Sequence, residues 1–285
     1  MMNVLSLFDG ISCGQLALNK AQIEYEKYFA SEIDEFAIKV TQTNFPKTIQ
    51  IGDVQNVTAG TVGEIGILLG GSPCQGFSFA GKGLNFEDER SKLFFEYVRL
   101  LKETKPRWFL FENVVMKKEY EDVITELLGV KLIMIESNLL AAANRKRLYW
   151  TNIPNVQQPC DAGVTWGDVR EYDVADKYYY SPKALEWFAN TENKTGKKMK
   201  VFADDDKMQM LEASMYKKYS LQRFFGIRDR QGLRYITPTE CERCMTVSDG
   251  YTSCVSDTQR YKQLGNGWTV DVIAWILSFI PKEEI

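Results

Sequence analysis

"NVLSLFDGISCGQLALNKA", residues 3–21, runs from a short apolar segment through a glycine-bearing loop into a helical pattern. "NVLSLF" (3–8) has strand composition, "DGISCG" (9–14) is a loop, and "QLALNKA" (15–21) has helical spacing. Gly10 and Gly14 permit a tight turn and let a ligand approach the backbone beside a helix N-terminus. The loop is not GxGxxG and lacks the basic residue of a phosphate cradle. The same order then repeats. "KYFASE" (27–32) precedes helix "EFAIKVTQTN" (35–44), and "TIQIGD" (48–53) and "GILLGG" (66–71) are strand-like. Helix "SKLFFEYVRLLKE" (91–103), strand "RWFLFEN" (107–113), helix "EYEDVITELLG" (119–129) and strands "KLIMIES" (131–137) and "RLYWTNI" (147–153) complete the series. Alternation of this length predicts βαβ units, an α/β fold and a mainly parallel sheet. Its ligand crevice should lie beyond the carboxyl ends of the strands, where "DGISCG", "SEID", "GDVQ", "SPCQG" and "ENV" all fall.

From about 155 to 255 the alternation stops. "GVTWGDV", "KYYYSPKALEWF", a lysine-rich stretch and "RYITPTE" read as a smaller domain of irregular and short-strand character. "GNGWTVDVIAWILSFI" (265–280) is a turn leading into an apolar helix that should pack back on the first domain. The expected organisation is therefore 1–155 plus 257–285 as one domain and 156–256 as the other.

At 285 residues and 45% hydrophobic, the chain can bury a full core. It has no apolar run of 18 residues, which argues against a membrane span, and its first residues lack the basic start and apolar core of a signal peptide. Six scattered cysteines suit reduced thiols in a cytoplasmic protein. There is no histidine, which excludes Ser-His-Asp triads, Cys-His dyads and His-ligated metals. The spacing "CERC" (241–244) lacks the further ligands a zinc site needs, so no metal is expected. Net charge is −3, yet "NRKRLYW" (144–150), "NKTGKKMK" (193–200) and "QRFFGIRDRQGLR" (222–234) are locally basic. A local groove suffices to bind phosphates, because the counterion effect depends on contacts made.

Candidate site residues follow from placement. Cys74 in "LLGGSPCQGFSFAG" (68–81) follows Pro73, which fixes its own φ and restricts Ser72, and Gly76, Gly81 and Gly83 give a loop suited to closing as a lid. A thiol there is intrinsically very nucleophilic. Cys13, Cys160, Cys241, Cys244 and Cys254 suit a packing role better. Glu32 and Asp53 end neighbouring strands, where acids accept hydrogen bonds from ribose hydroxyls or an adenine amine. Glu112 follows four apolar residues, surroundings that raise a carboxyl's pKa and let it share a proton near neutrality. Arg145 and Arg147 alternate within "NRKR", a spacing that aims two guanidinium forks at one pocket.

Taken in order, these segments resemble the C5-cytosine DNA methyltransferase family. "FDGISCG" (8–14) is similar to its first motif, "GGSPCQGFS" to its nucleophile motif, "DERSKLFFEYVR" (88–99) to the segment that follows, "ENV" to its acid motif and "NRKR" to its arginine motif. "RYITPTECER" (234–243) and "QLGNGWTV" (263–270) resemble the last two. The resemblance covers nearly all of the chain outside 155–233. Ala143 replaces the usual glutamine before the arginines, and "GNGWTV" replaces GNSV; both departures resemble the de novo branch of animal DNA methyltransferases, and the chain is expected to be a bacterial or phage member.

The resemblance implies a Rossmann-like S-adenosylmethionine-dependent methyltransferase sheet with helices on both faces, plus a mostly irregular and β target-recognition domain. It implies methyl transfer from S-adenosylmethionine, leaving S-adenosylhomocysteine, to C5 of a flipped-out cytosine in double-stranded DNA, within a restriction-modification context. The catalytic residues would be Cys74, Glu112, Arg145 and Arg147. Cofactor-binding residues would be Phe8, Asp9, Gly10, Ser12, Cys13, Gly14, Glu32, Ile33, Asp53, Val54, Pro73, Asn266 and Trp268. The expected partner is DNA, with no membrane, the protein being a monomer or weak dimer in the cytoplasm at the nucleoid. Two alternatives remain at this level: a transfer-RNA cytosine-C5 methyltransferase, whose Cys-Phe-Thr segment this chain lacks, and an inactive DNA-binding regulatory homologue.

Overall fold

The first strand, β1 (Met2–Leu7), is buried from Val4 onward and has no polar face to turn to water. Such a strand belongs in the middle of a parallel sheet covered on both sides. The computed structural model describes residues 1–73, 89–220 and 224–284. In it β1 pairs in parallel with β2 (Tyr25–Ser31) on one side and with β4 (Ile67–Gly70) on the other. β3 (Ile49–Gln50), β5 (Trp108–Val114), β6 (Leu132–Glu136) and β7 (Lys146–Thr151) complete a sheet ordered β3-β2-β1-β4-β5-β7-β6. Every pairing is parallel except those of β7, which is antiparallel to both β5 and β6. The α/β architecture expected from the alternation is present. Only β3 is markedly shorter than its sequence suggested: Ile51 N–H makes a last bond to the Ala30 carbonyl at 2.9 Å, and Asp53 then caps a 3-10 turn over Val54–Asn56.

Helices follow the strands in sequence: α1 (Cys13–Lys20), α2 (Glu35–Asn44), α3 (Ala59–Val62), α4 (Glu89–Thr104) and α5 (Lys118–Leu128). Local chemistry sets their ends. The Asp34 side chain accepts from the N–H groups of Phe36 and Ala37 to start α2, and Gly129, at φ 69°, ends α5. Tyr120, Ile124 and Leu128 share one buried face of α5, and the Trp150 indole on β7 donates to Thr125 Oγ1 at 2.9 Å. The core beneath α4 is aromatic: the Phe111 ring lies 5.2 Å from Phe94, 4.8 Å from Tyr97 and 6.0 Å from Trp150.

The chain divides into two compact units. One comprises Met1–Ser137, Lys146–Pro159 and Val270–Ile285; the other comprises Asn138–Arg145 and Cys160–Thr269. The first holds the sheet, α1–α5 and α10 (Val270–Leu277), which packs against α1 and is tied to it by Lys20 and Asp271. The second holds α6 (Trp166–Val169), α7 (Pro182–Thr195), α8 (Pro238–Cys244), α9 (Asp257–Asn266) and a sheet ordered β10-β9-β8. Its strands are short: β8 (Lys200–Phe202), β9 (Phe225–Asp229) and β10 (Gly232–Arg234). α7 lies in a stretch whose sequence reads as irregular. Ser181 caps it, Pro182 opens it and Gly196, at φ 70°, closes it.

Segments 138–145 and 257–269 lie in the second unit, although sequence order groups both with the first domain. The cause is polar. Asn144 donates its N–H and side-chain amide to the Met208 carbonyl at 2.9 and 3.0 Å, and the Arg145 guanidinium reaches the carbonyls of Leu211, Gly265 and Gly267. Arg234, 0% exposed, forks onto Glu240 at 2.9 and 2.7 Å and bonds Asp229 through Nε, while Thr237 and Glu240 form the capping box of α8. Among the described residues no helix is long and apolar enough to cross a membrane.

Gly265 is fixed by contact. A Cβ there would lie 2.2 Å from the Ala213 nitrogen and 2.3 Å from the Glu212 carbonyl carbon, both backbone. Gly265→Ala should therefore lower stability by about 1–3 kcal/mol or more. Urea unfolding should show an earlier midpoint; an unchanged midpoint would contradict the contact.

Candidate active site

Parallel pairing aligns the carboxyl ends of five strands on one rim. Leu7 lies level with Ser31 on β2 and with Gly70 on β4, and Gly70 lies level with Phe111 on β5. The segments leaving those ends are 8–12, 32–34, 51–53, 71–73 and the last residues of β5. In open α/β sheets this rim is where ligands bind, at the point where strand order reverses. Here that point lies between β1 and β4.

The first of these segments is wound tightly. Phe8, Gly10 and Ser12 have φ of 57°, 59° and 57°. For the two residues with side chains, this left-handed conformation costs about 1–2 kcal/mol each. A buried polar network under the loop holds it there. Asp9 Oδ1 accepts from the Tyr28 hydroxyl at 2.7 Å, and Oδ2 accepts from the Ser12 hydroxyl. Ser12 Oγ in turn accepts from Gln15 Nε2 and Thr41 Oγ1, each at 3.1 Å, and Gln15 also donates to Thr48 Oγ1 at 2.7 Å. Burial pushes the Asp9 carboxyl up to about 6, against hydrogen bonds from Ser12 and Tyr28 that lower it; the charge of Glu32 raises it further. Ser12, Cys13 and Gly14 are all buried.

Glu32 ties this loop to its neighbour. Its Oε2 accepts from the Gly10 N–H at 2.8 Å, and Oε1 accepts from the N–H groups of Ile33 and Asp34 at 2.8 and 2.9 Å. Oε2 retains a second acceptor position. Ile33 beside it is 75% exposed, and Phe8 is half-buried. Asp53 uses Oδ1 to cap its turn through Gln55 N–H at 3.0 Å, and Val54 is buried against the core. Ser31 Oγ donates to the Gly52 carbonyl at 2.7 Å, joining the ends of β2 and β3.

On the other side of the switch point stand Glu112 and Arg147. In the antiparallel register of β5 and β7, Glu112 faces Tyr149 and Val114 faces Arg147. Glu112 and Arg147 are therefore diagonal neighbours on one face, within reach of long side chains. Arg147 Nε lies 2.8 Å from Glu112 Oε1, with both side chains about 11% exposed. Asn113, next along β5, points its amide nitrogen at the Ser72 hydroxyl and carbonyl, at 3.4 and 3.5 Å. Ser72 is buried and Pro73 exposed. Cys74 and the lid expected over 76–90, with Gly76, Gly81 and Gly83, lie outside the described residues except for the first turn of α4.

The two arginines of "NRKR" do different things. Arg145 is buried in the second unit, its guanidinium on three backbone carbonyls, while Arg147 pairs with Glu112 in the first. Gly265 and Gly267, two of the residues Arg145 holds, flank the exposed Asn266; Trp268 is half-buried beyond them. Among the basic residues of 194–200 and 223–234, Lys194, Lys197, Lys198, Lys200, Arg228 and Arg230 are exposed, Arg234 is internal and Arg223 lies outside the described residues. Cys13, Cys241 and Cys244 are packed as expected, but Cys160 is exposed. Burial pushes the thiols of Cys241 and Cys244 well up.

Sequence reasoning missed Tyr28, Thr41, Thr48, Gln15 and Asn113. Gln15 offers a faint signal, a polar residue on the apolar face of α1, and Asn113 sits beside an acid at a strand end; the others look like ordinary strand and helix residues.

The raised Asp9 carboxyl has a stability consequence. Its native value of about 6 exceeds the ordinary aspartate value of 3.8, so the folded chain binds the proton more tightly than the unfolded one. The favourable contribution is full below about pH 4 and is lost as pH rises through 6. Relative to Asp9→Asn, the wild-type chain should lose up to about 3 kcal/mol of unfolding free energy across that window. Denaturant titrations of both proteins at pH 4.5 and pH 7 would show the gap, and a pH-independent difference would refute it.

Comparison with known proteins places this geometry. The family described as C-5 cytosine-specific DNA methylase matches residues 2–128 and 139–282. The type II methyltransferase M1.ScrFI of Lactococcus lactis subsp. cremoris is 31% identical over 297 aligned residues, covering 95% of this chain and 75% of that protein. The type II methyltransferase M.NlaX of Neisseria lactamica is 29% identical, covering 96% and 94%. Among solved structures, the Entamoeba histolytica methyltransferase EhMeth superposes with a TM-score of 0.81 at 20% identity, covering 98% and 97%, a likeness of fold. A family match over nearly the full length, on a parallel-dominated sheet with Glu112 and Arg147 paired at its rim, means that this chain belongs to the C-5 cytosine-specific DNA methylase family.

Proposed function

We propose that the protein transfers a methyl group from S-adenosylmethionine to C5 of a flipped-out cytosine in double-stranded DNA, through a covalent bond between Cys74 and C6 of the ring. The observation that carries this reading is the Glu112–Arg147 pair, 2.8 Å apart on the rim, beside the strand that runs into Pro73 and Cys74. The family description, C-5 cytosine-specific DNA methylase, supports DNA as the substrate.

The rim fits the methyl donor. A Cβ at Gly10 or Gly52 would meet no heavy atom within 4 Å, so both loops border open space. Ile33 and Phe8 offer apolar surface to an adenine, and Asp53 Oδ2 and the spare acceptor of Glu32 Oε2 suit an amine and a ribose hydroxyl. Asp9 and Glu32 put two carboxylates beside Gly10, which favours a cationic ligand. When bound, S-adenosylmethionine supplies an electrophilic methyl group. Gly10, Ser12, Cys13 and Gly14 would meet it through their main chain, because the side chains present there are buried. Pro73, Val54, Asn266 and Trp268 remain assigned to the same ligand.

Cytosine C5 is too weak a nucleophile to attack a sulfonium methyl unaided. The Cys74 thiol gives its proton to solvent water and the thiolate adds to C6, which makes C5 enamine-like. Glu112, oriented by Arg147, shares a proton at N3 and accepts from the exocyclic amine, limiting negative charge in the ring. Arg147 presents its guanidinium to the O2 side. After C5 takes the methyl group it gives its proton to water or hydroxide, C5=C6 re-forms, and the sulfur leaves as thiolate. Arg145 is assigned to holding the turn around Asn266 and acts on the reaction through that turn. The target cannot be reached inside a duplex, so it must be flipped out at a cost of roughly a few kcal/mol. The second unit would meet the duplex through Lys194, Lys197, Lys198, Lys200, Arg228 and Arg230.

Duplexes carrying 5-fluorocytosine at the target, incubated with enzyme and methyl donor, should form a denaturant-resistant adduct, because fluorine at C5 blocks the final elimination. Cys74→Ser should bind the donor yet form no adduct and transfer no methyl group; an adduct in that variant would remove Cys74 from the mechanism. Glu112→Gln should lower kcat by about 10²–10⁴-fold with little change in DNA affinity. Single-turnover methylation with tritiated donor measures this, and an unchanged rate would count against the acid.

A further inference from the structure

We propose that Tyr28 is a positioning residue for the methyl donor, holding loop 8–12 through Asp9 in the form that binds. This rests on the reading of that loop as the S-adenosylmethionine site. Tyr28 is on β2, 2% exposed, and faces the underside of the loop; nothing about the reaction requires a phenol there. Its hydroxyl donates to Asp9 Oδ1 at 2.7 Å while the Ser12 hydroxyl donates to Oδ2, so one carboxylate spans the loop between its two left-handed side-chain residues, Phe8 and Ser12.

The arrangement works only with an ionised carboxylate. Ionised, Asp9 is acceptor-only and takes both donations; protonated, one of its oxygens must itself donate. Ser12 Oγ already accepts from Gln15 and Thr41, so a protonated Asp9 must turn to place its O–H on the Ser6 or Tyr28 oxygen, which loosens the tie across the loop. The loop then loses the contact that offsets its backbone cost. The titratable groups facing Asp9 are Tyr28 and Tyr25 on β2 and Glu32 at the end of that strand; α1 and α2 present only Gln15 and Thr41, and β1 presents Ser6. Burial puts the midpoint of Asp9 at about 6, within reach of a physiological fall in pH, and the Tyr28 hydrogen bond is one of the contacts that lower it.

The test is the pH dependence of S-adenosylmethionine binding to the full-length protein, by isothermal titration calorimetry between pH 5 and 8. Wild type should bind with constant affinity above about pH 7 and weaken below about 6. Tyr28→Phe should move that limb up by about one pH unit, giving several-fold weaker binding at pH 6.5, with kcat at saturating donor within about twofold of wild type. A Tyr28→Phe limb that coincides with wild type overturns the inference and leaves the functional reading intact. Absence of binding to wild type at every pH overturns the functional reading itself. Should Tyr28→Phe fail to fold by circular dichroism, Asp9→Asn decides: the inference requires its affinity to be flat from pH 5 to 8, and a wild-type limb in that variant sinks it.

Discussion

Everything in the first unit depends on β1 being paired in parallel on both edges. With Leu7 level with Ser31 and with Gly70, the chain must leave three adjacent strands at the same height. The segment with left-handed residues, the Glu32 turn and the segment leading to Pro73 therefore share one rim by construction. Because the chain runs from β1 to β2 and β3 on one side and then crosses from β3 to β4 on the other, the rim opens between β1 and β4. Gly70 shows how tight this region is: a Cβ there would lie 2.8 Å from the Tyr97 ring and 3.3 Å from the Leu7 carbonyl.

The antiparallel strand supplies what a purely parallel sheet could not. β7 runs back between β5 and β6, so its first residues, not its last, meet the end of β5. Arg147 is thereby delivered to Glu112 from the opposite chain direction. A buried pair of this kind is costly to desolvate and is weak evidence for stability. Its value is orientation: a guanidinium that already bonds Glu112 and the Lys146 carbonyl at 2.8 Å leaves the carboxylate few ways to turn.

Buried charged groups recur where separate stretches of backbone must be held together. Asp9 spans loop 8–12, Arg145 gathers the carbonyls around Asn266, and Arg234 joins Asp229 to Glu240 at the head of α8. In each case the charged group is surrounded by partners, which keeps the desolvation penalty bearable. Asp9 is the exception in one respect, since burial outweighs its hydrogen bonds and its carboxyl remains near its midpoint in mildly acidic solution. Strain and an easily titrated acid at a rim loop are what a site under functional demand would show.

The sequence by itself determined the order of strands and helices, the parallel sheet, the rim loops and the residues Cys74, Glu112, Glu32 and Asp53 as candidates. These depend on periodicity and on glycine, proline and acid placement, which are local properties of the chain. It also held the ends of α7 in Ser181, Pro182 and Gly196, although surrounding aromatic and lysine residues obscured the helix between them. Only the tertiary structure decided how Arg145 and Arg147 divide their work, which basic residues of 223–234 face water, and which side chains stand beneath loop 8–12. Those facts depend on contacts such as Tyr28 with Asp9 and Arg145 with Gly265, separated by 19 and 120 residues. No spacing rule reaches that far, because such contacts exist only once the sheet has set the strands side by side.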